Sequence, residues 1–341
     1  MTDAEGRSNP EVAAMLAGAQ TYFPFLRRAQ DLELVFGIGE DLFATILREL
    51  GPGISDRCAL LFLTYCRDYP TRRRLGITFD VSASTATSEI TRFLEAMEGH
   101  FPLDWNRRRE AGSCGGMLAS CWSLIDSTSF RIEKPGRDQA LFFSGHHHTH
   151  EMKYEVVTNL AGRVVYLSPP FAGSSHDMAI YRATQEQVCC VRVFPSPLTT
   201  GGVQLVLAPG ELMLGDRAYL GAAAAAKVAC GYREPVTREE RRLNEEIVRQ
   251  RILIENTFGR IKSKWRILRD RWRHSLGRLH PRVLRTLIKI HNLDLDLHPM
   301  RAAAPPRVLA EEEDADEAEE VEMRPAFYVA DDELFFEEDP E

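Results

Sequence analysis

The sequence predicts an α/β fold, a mixed sheet flanked by helices, preceded by an all-helical N-terminal domain. Three observations carry that expectation. Apolar residues between 31 and 97 recur at helical spacing. From Cys121 onward, short apolar runs of strand length alternate with helical stretches. A long basic helix then closes the pattern. Two of the short runs end in an acid, Asp126 in Trp122-Ser-Leu-Ile-Asp126 and Asp216 in Glu211-Leu-Met-Leu-Gly-Asp216. A third acid, Glu255, stands in the basic helix.

Residues 1–30 carry little pattern and are expected to be only partly ordered. Asp41-Leu-Phe-Ala-Thr-Ile-Leu-Arg-Glu-Leu50 puts Leu42, Phe43, Ile46, Leu47 and Leu50 on one helical stripe, which Gly51-Pro-Gly53 ends. A second run, 57–65, stops before Pro70. Residues 72–97 then read as a short helix, a turn at 80–82 and a second helix opening on Ser and Thr caps. This is a helix-turn-helix pattern within a helical domain over 31–105. An ordinary helical hairpin in a core would show the same periodicity. Residues 106–120, basic at Arg107-Arg-Arg109 and loose at Gly112–Gly116, read as a linker.

In the α/β domain, 121–298, strands are expected near 121–132, 152–158, 163–169 and 211–215. Helices are expected near 176–187 and 219–229, followed by a short strand near 232–236 and a long helix over 239–269. In that helix Ile247, Ile254, Phe258, Ile261, Trp265 and Leu268 step by three or four, the spacing of a buried face. Glu255 lies beside the stripe, and Gly259, one turn on, leaves room above it. Residues 299–341 read as an acidic, disordered tail.

With 341 residues and 44% hydrophobic content the chain can bury one large core or two modest ones. No apolar run approaches the roughly 20 residues that span a bilayer. The opening Met1-Thr-Asp-Ala-Glu-Gly lacks the features of a secretory signal, so no membrane partner is expected. Seven cysteines without C-x-x-C spacing point to reduced thiols. The net charge of −8 hides a division: from Glu311 onward sixteen acids face one Arg, Arg324, so residues 1–308 carry +7. Between Arg249 and Lys289 thirteen Lys or Arg stand against two acids, Glu255 and Asp270. A solvated helix face normally mixes both signs. This density points instead to a polyanion, with counterion release on phosphate as its natural use. The tail reads as a solvated extension, as a competitor of phosphate, or, through Phe327, Tyr328, Leu334, Phe335 and Phe336, as a partner-binding segment.

Asp126, Asp216 and Glu255 are the candidate catalytic residues. Carboxylates at strand ends are poorly placed for packing and well placed to hold hard divalent cations, which take oxygen ligands. Two such ions about 3.5–4 Å apart clamp the attacking and leaving oxygens of a phosphodiester. The expected cofactor is Mg2+ or Mn2+. A fourth acid, Asp177 after Gly173-Ser-Ser-His176, reads as an auxiliary ligand or as a helix N-cap. The run His146-His-His148-Thr-His150 is not expected to bind zinc, because strand neighbours face opposite ways and no cysteine accompanies them. It suits a turn or strand end instead.

Lined up, these residues resemble the DDE superfamily endonuclease domain of Harbinger-type (PIF-like) transposases and of nucleases derived from them. The matching pieces run in order from Leu124-Ile-Asp126-Ser-Thr128 through Phe143-Ser-Gly145, with His150 and Lys153, to Gly173-Ser-Ser-His176-Asp177. They continue with Leu214-Gly-Asp216-Arg-Ala-Tyr219, Ile254-Glu255-Asn-Thr-Phe258-Gly259-Arg-Ile-Lys262, Ile267-Leu268 and His291-Asn292-Leu293. The helix-turn-helix at 72–97 is similar to the one that precedes the nuclease domain in these proteins. The resemblance covers roughly 55–293 and implies an RNase H-like fold. Asp126 would lie on its first strand, Asp216 at the end of the fourth and Glu255 on a later helix. There are two departures. Asp-Ser-Thr stands where Asp-Gly-Thr is commoner, and histidines follow Gly145 where Lys or Arg is usual, which makes a phosphate contact there pH-dependent.

The expectation is thus a metal-dependent DNA endonuclease or strand transferase of the two-metal kind, with Asp126, Asp177, Asp216 and Glu255 around the metal. Arg92, Lys153, Arg251, Arg260, Lys262, Lys264 and Arg266 are the expected DNA contacts. The resemblance further implies a nuclear location, with the cytoplasm as alternative, and a separate Myb-like DNA-binding partner. A homo-oligomer is left open. The competing reading is a domesticated DNA-binding or scaffolding protein that keeps the fold without cleavage. A small-phosphoester hydrolase would need neither the basic helix nor the helix-turn-helix.

Overall fold

The computed structural model describes residues 10–26, 28, 30–185, 207–220, 227–273 and 279–300. The acidic tail from residue 301 lies outside the described residues. Six helices come first: α1 (Pro10–Tyr22), α2 (Gln30–Phe36), α3 (Glu40–Leu50), α4 (Asp56–Asp68), α5 (Arg72–Thr78) and α6 (Ala83–Gly99). Hydroxyls of Ser55, Thr71 and Ser82 cap α4, α5 and α6 by accepting from otherwise orphaned amides. The turn between α5 and α6 needs its glycine. A Cβ on Gly76 would meet the Val81 carbonyl oxygen at 2.5 Å, while the Val81 amide donates to the Gly76 carbonyl.

Of the N-terminal stretch expected to be only partly ordered, residues 1–9, 27 and 29 lie outside the described residues, and Pro10–Tyr22 form a helix. Ala19 and Leu26 are buried, and Phe23 stacks edge-on against Phe36 and Phe79.

The sheet comprises β1 (Cys121–Arg131), β2 (Phe143–Ser144), β3 (Thr149–Asn159), β4 (Val164–Leu167), β5 (Phe171–Ala172), β6 (Leu212–Leu214) and β7 (Val228–Ala229). Its order is β2-β3-β1-β6-β7, with β4 and β5 also paired to β3. β3 runs antiparallel to β1, whereas β6 and β7 run parallel to it. An antiparallel group followed by two parallel strands beyond the first strand is the RNase H-like arrangement. Around it lie α7 (Gln139–Phe142), α8 (Asp177–Gln185), α9 (Arg238–Lys264), α10 (Arg266–Arg269) and α11 (Leu279–Leu297).

Three expectations change. The helix expected over 219–229 is a short turn through 217–220, then residues outside the described set, then β7, because Val228 and Ala229 are buried against Met213 and Leu214. Residues 232–236 are not a strand. The long helix breaks at Trp265, which turns extended (φ −118°) and drives its ring against Gly37. A side chain on Gly37 would meet that ring at 3.1 Å.

The helical N-terminal region and the α/β region share one core. Phe36, Phe62 and Phe93 belong to the same buried cluster as Phe130, Tyr154, Trp265, Trp272 and Leu284. Polar ties cross the same boundary. Arg67 donates to the Lys264 carbonyl at 2.5 Å, and the Lys289 ammonium donates to the carbonyls of Met97 and His100 at the end of α6. Across 105–118 the chain forms two short 3-10 turns, and Arg108 is anchored by a buried bidentate pair with Glu211, at 2.6 and 2.8 Å. Among the described residues no helix is long and apolar enough to cross a membrane.

Candidate active site

Leu124 of β1 pairs with Leu214 of β6 in parallel register. Two residues further along each chain stand Asp126 and Asp216, so the register alone sets the two acids side by side beyond the carboxyl end of β6, the crevice where parallel sheets place their ligands. Gly215 permits this, since a Cβ there would meet Val228, Ile125 and Tyr219 at 2.8–3.2 Å. The loop that follows is tied back to β1 by Tyr219, whose hydroxyl meets Ser127 Oγ at 3.2 Å. Asp216 Oδ1 accepts from the Ala218 amide, and Asp126 Oδ1 from the Ser127 amide, which leaves Oδ2 of each for the crevice, where both meet Arg251.

The third acid arrives on α9. A capping box of Thr237 and Glu240 starts that helix, and its buried face, including Ile247, Ile254 and Ile261, seats it against the sheet. Glu255 then reaches the crevice edge. The three carboxylates converge on a single atom. Arg251 Nη2 lies 3.3 Å from Asp126 Oδ2, 3.9 Å from Asp216 Oδ2 and 4.0 Å from Glu255 Oε1. No two of these oxygens are therefore more than twice 4.0 Å apart. Side-chain exposure rises from 16% at Asp126 through 31% at Asp216 to 60% at Glu255, so the set is closed on the strand side and open on the helix side. Beyond Glu255, nothing lies within 4 Å of where a Gly259 Cβ would stand.

Burial pushes the Asp126 carboxyl up to about 6; Arg251 works against that shift and the neighbouring Asp216 charge adds to it. The one guanidinium beside it does not fully offset that burial and the neighbouring like charge. Among the described residues, no three His, Cys, Asp or Glu side chains stand ready to hold one metal ion, and the three acids that converge do so on the Arg251 guanidinium. The donor chemistry nevertheless fits a hard divalent ion: oxygen ligands only, two of them anchored by backbone amides.

The other expected site residues divide. Asp177 opens α8 on the opposite face of β3 and is paired with Lys153, whose ammonium donates to Asp177 Oδ1 at 3.0 Å and to the Ser175 carbonyl at 2.9 Å. Asp177 raises the Asp126 carboxyl less than Asp216 does. Lys262 donates to the Ser129 carbonyl and lies over the Phe130 ring, and burial pushes its pKa down. Arg260 and Lys264 both close on Asp294 of α11, at 3.1 and 2.7 Å. Arg266 is exposed and pairs with Asp270; Arg92 is exposed and donates to the Gly53 carbonyl. The histidine run forms the turn between β2 and β3, where His147 Nδ1 contacts Glu151 at 2.8 Å.

One residue beside the site escaped the sequence reading. Glu155 of β3 lies opposite Ser127, is fully buried, and is pushed up to about 8 by that burial. Thr184 donates to one of its oxygens. Its signal was the alternation of Glu151, Lys153 and Glu155 with Met152, Tyr154 and Val156 along β3.

Residues 125–292 match the family model described as DDE superfamily endonuclease, and residues 56–103 match that of the helix-turn-helix of DDE superfamily endonuclease. No curated protein and no solved structure matches the chain.

Proposed function

We propose that this chain, which carries a DDE superfamily endonuclease domain behind its helix-turn-helix, is a Harbinger-type, metal-dependent DNA endonuclease or strand transferase. The observation that carries the reading is the convergence of Asp126, Asp216 and Glu255 on one cationic group. Asp126, Asp216 and Glu255 would hold Mg2+ or Mn2+, which supplies Lewis-acid stabilisation of a phosphodiester and a nucleophile at neutral pH. Asp126, walled in by the sheet, fixes the inner side of the site. Glu255 stands at its solvent side, where the DNA backbone enters. Asp177, held by Lys153, acts from behind the sheet on the charge of Asp126 and is a site-orienting acid in this reading.

The helix-turn-helix places small polar side chains of α6, Ser84 and Ser88, on an exposed face with Arg92, and Arg73 and Arg74 on exposed positions of α5. Together with exposed Arg266, Arg269 and Arg271, these are among the exposed cations available to DNA phosphates. A nuclear location and a Myb-like partner belong to the same proposal.

The position of Arg251 favours one second reading, a domesticated DNA-binding protein in which the guanidinium has permanently replaced the metal. Plasmid nicking separates the two. The first reading expects Mg2+- or Mn2+-dependent nicking by the purified protein and its loss in Asp216→Ala. DNA binding without any metal-dependent nicking, by a folded wild type, would select the second.

A further inference from the structure

Arg251 shows how the site could be kept before metal arrives, an inference that rests on reading the three acids as a metal centre. Two arginine–carboxylate contacts among the described residues make the contrast. Arg108 and Glu211 meet as a fork, with Nε and Nη2 on the two oxygens at 2.6 and 2.8 Å. Arg251 does nothing of the sort. One nitrogen, Nη2, faces three carboxylates, and only the 3.3 Å contact with Asp126 falls within hydrogen-bond range. Its Nε is buried with no hydrogen-bond partner. A buried donor left unsatisfied is unfavourable, and a planar guanidinium gains most from bidentate pairing. The geometry is that of a positive charge filling a hole between negative charges, with a single long hydrogen bond to Asp126 and its Nε unsatisfied.

We infer that Arg251 is a resident counter-cation of the acid cluster, which a divalent ion must displace, so that metal loading is coupled to an outward swing of this side chain. Arg251 is well placed to leave. It stands one helical turn before Glu255 on α9, on the half-open side of the site, and its exposed neighbours Val248 and Ile252 leave that flank uncovered. Like charges cannot share the position, so the arginine and the metal are alternatives.

The test is Mn2+ titration of the full-length chain, by calorimetry and by loss of the free-ion electron-paramagnetic signal, for wild type, Arg251→Gln and Asp216→Asn. Arg251→Gln should bind Mn2+ on the order of tenfold more tightly than wild type, because no cation has to be expelled. Its metal-free melting temperature should be lower than that of wild type, and Mn2+ should raise it by more. Equal or weaker binding in Arg251→Gln, with wild-type binding abolished by Asp216→Asn, would overturn the counter-cation while leaving the metal centre intact. No Mn2+ binding by folded wild type or Arg251→Gln would overturn both. A second measurement does not depend on the variant's folding. In wild type labelled with 15N-arginine, the Arg251 Nε resonance, assigned by its absence from Arg251→Lys, should shift on saturation with Mg2+. A resonance indifferent to Mg2+ refutes displacement.

Discussion

Replacing Asp126 by Asn should abolish metal-dependent cleavage and yet stabilise the metal-free protein. Asp126 sits at the closed end of the site, 16% exposed, with Asp216 beside it and the Arg251 guanidinium at 3.3 Å. Burial is the largest influence, and it pushes a carboxyl that ordinarily titrates at 3.8 up to about 6. Ionising it in the fold therefore costs about 3 kcal/mol more than in the unfolded chain. Asn keeps the shape and removes the charge, so a gain on the order of 1–3 kcal/mol is expected above neutrality, part being lost because Arg251 loses its nearest partner.

The sign follows from proton counting. Between pH 3.8 and about 6 the folded state holds a proton that the unfolded state has released, so wild-type stability falls as pH rises through that window. The variant lacks this term. The melting-temperature difference, Asn minus Asp, should be near zero below pH 4 and positive by several degrees at pH 7.5 in chelator. Excess Mg2+ should then stabilise wild type and leave the variant unmoved. Calorimetric scans across pH decide it. An Asn variant less stable than wild type at pH 7.5, or a difference that ignores pH, would refute the reasoning. Either result would mean that Arg251 offsets the burial of the acid in full.

Three further outcomes are expected. Glu255→Gln should lower Mg2+- or Mn2+-dependent nicking by orders of magnitude with little change in melting temperature, since Glu255 is largely exposed; Glu246→Gln on the same helix is the control, and equal losses in both would show that Glu255 has no special role. Arg108→Met should destabilise the fold by about 3 kcal/mol, because it leaves the buried Glu211 carboxylate with only the Ala208 amide and the more distant Arg109 as partners; denaturant midpoints measure it, and a loss below about 1 kcal/mol would place the anchoring of 105–118 elsewhere. Deleting residues 309–341 removes fifteen net negative charges and should strengthen non-specific DNA binding, most visibly at low salt; unchanged affinity in a salt series would mean that the tail does not screen the basic body.

The site was legible where local sequence and chain register coincide. Asp126 and Asp216 could be found because each ends an apolar run, and two parallel strands in register then bring such ends together without further instruction. The buried stripe of α9 was legible for a similar reason: its period is a property of the segment itself. What stayed hidden depends on partners distant in the chain. Arg260 and Lys264 look like free cations until α11 folds back and supplies Asp294, 34 and 30 residues further on. Lys262 reads as a phosphate contact until Phe130 and the Ser129 carbonyl enclose it. The break at Trp265 was invisible because Trp265 keeps the helical spacing of the stripe, and only the N-terminal helices around Gly37 pull it out of line.

Those hidden pairings give part of the basic helix a structural task beside the DNA contact expected of it: on this stretch of α9 the positive charge also braces the fold. Arg260 and Lys264 clamp α9 to Asp294, Thr257 donates to Leu253 and meets the Gly162 carbonyl, and Asn292 of α11 both donates to and accepts from Val164 at the start of β4. Glu255 lies one turn before this braced segment, so the brace sets how far the third carboxylate projects over the strand ends. Beyond the end of that helix the chain continues, through Trp265 and Trp272, into the core that holds α4 and α6. The helix-turn-helix and the acid cluster are thus parts of one packed body rather than two beads on a linker. A duplex gripped at α6 would stand at a set distance from Asp126, and on the proposed function this rigidity, more than any contact to a base, would set the offset between the recognised sequence and the bond that is cut.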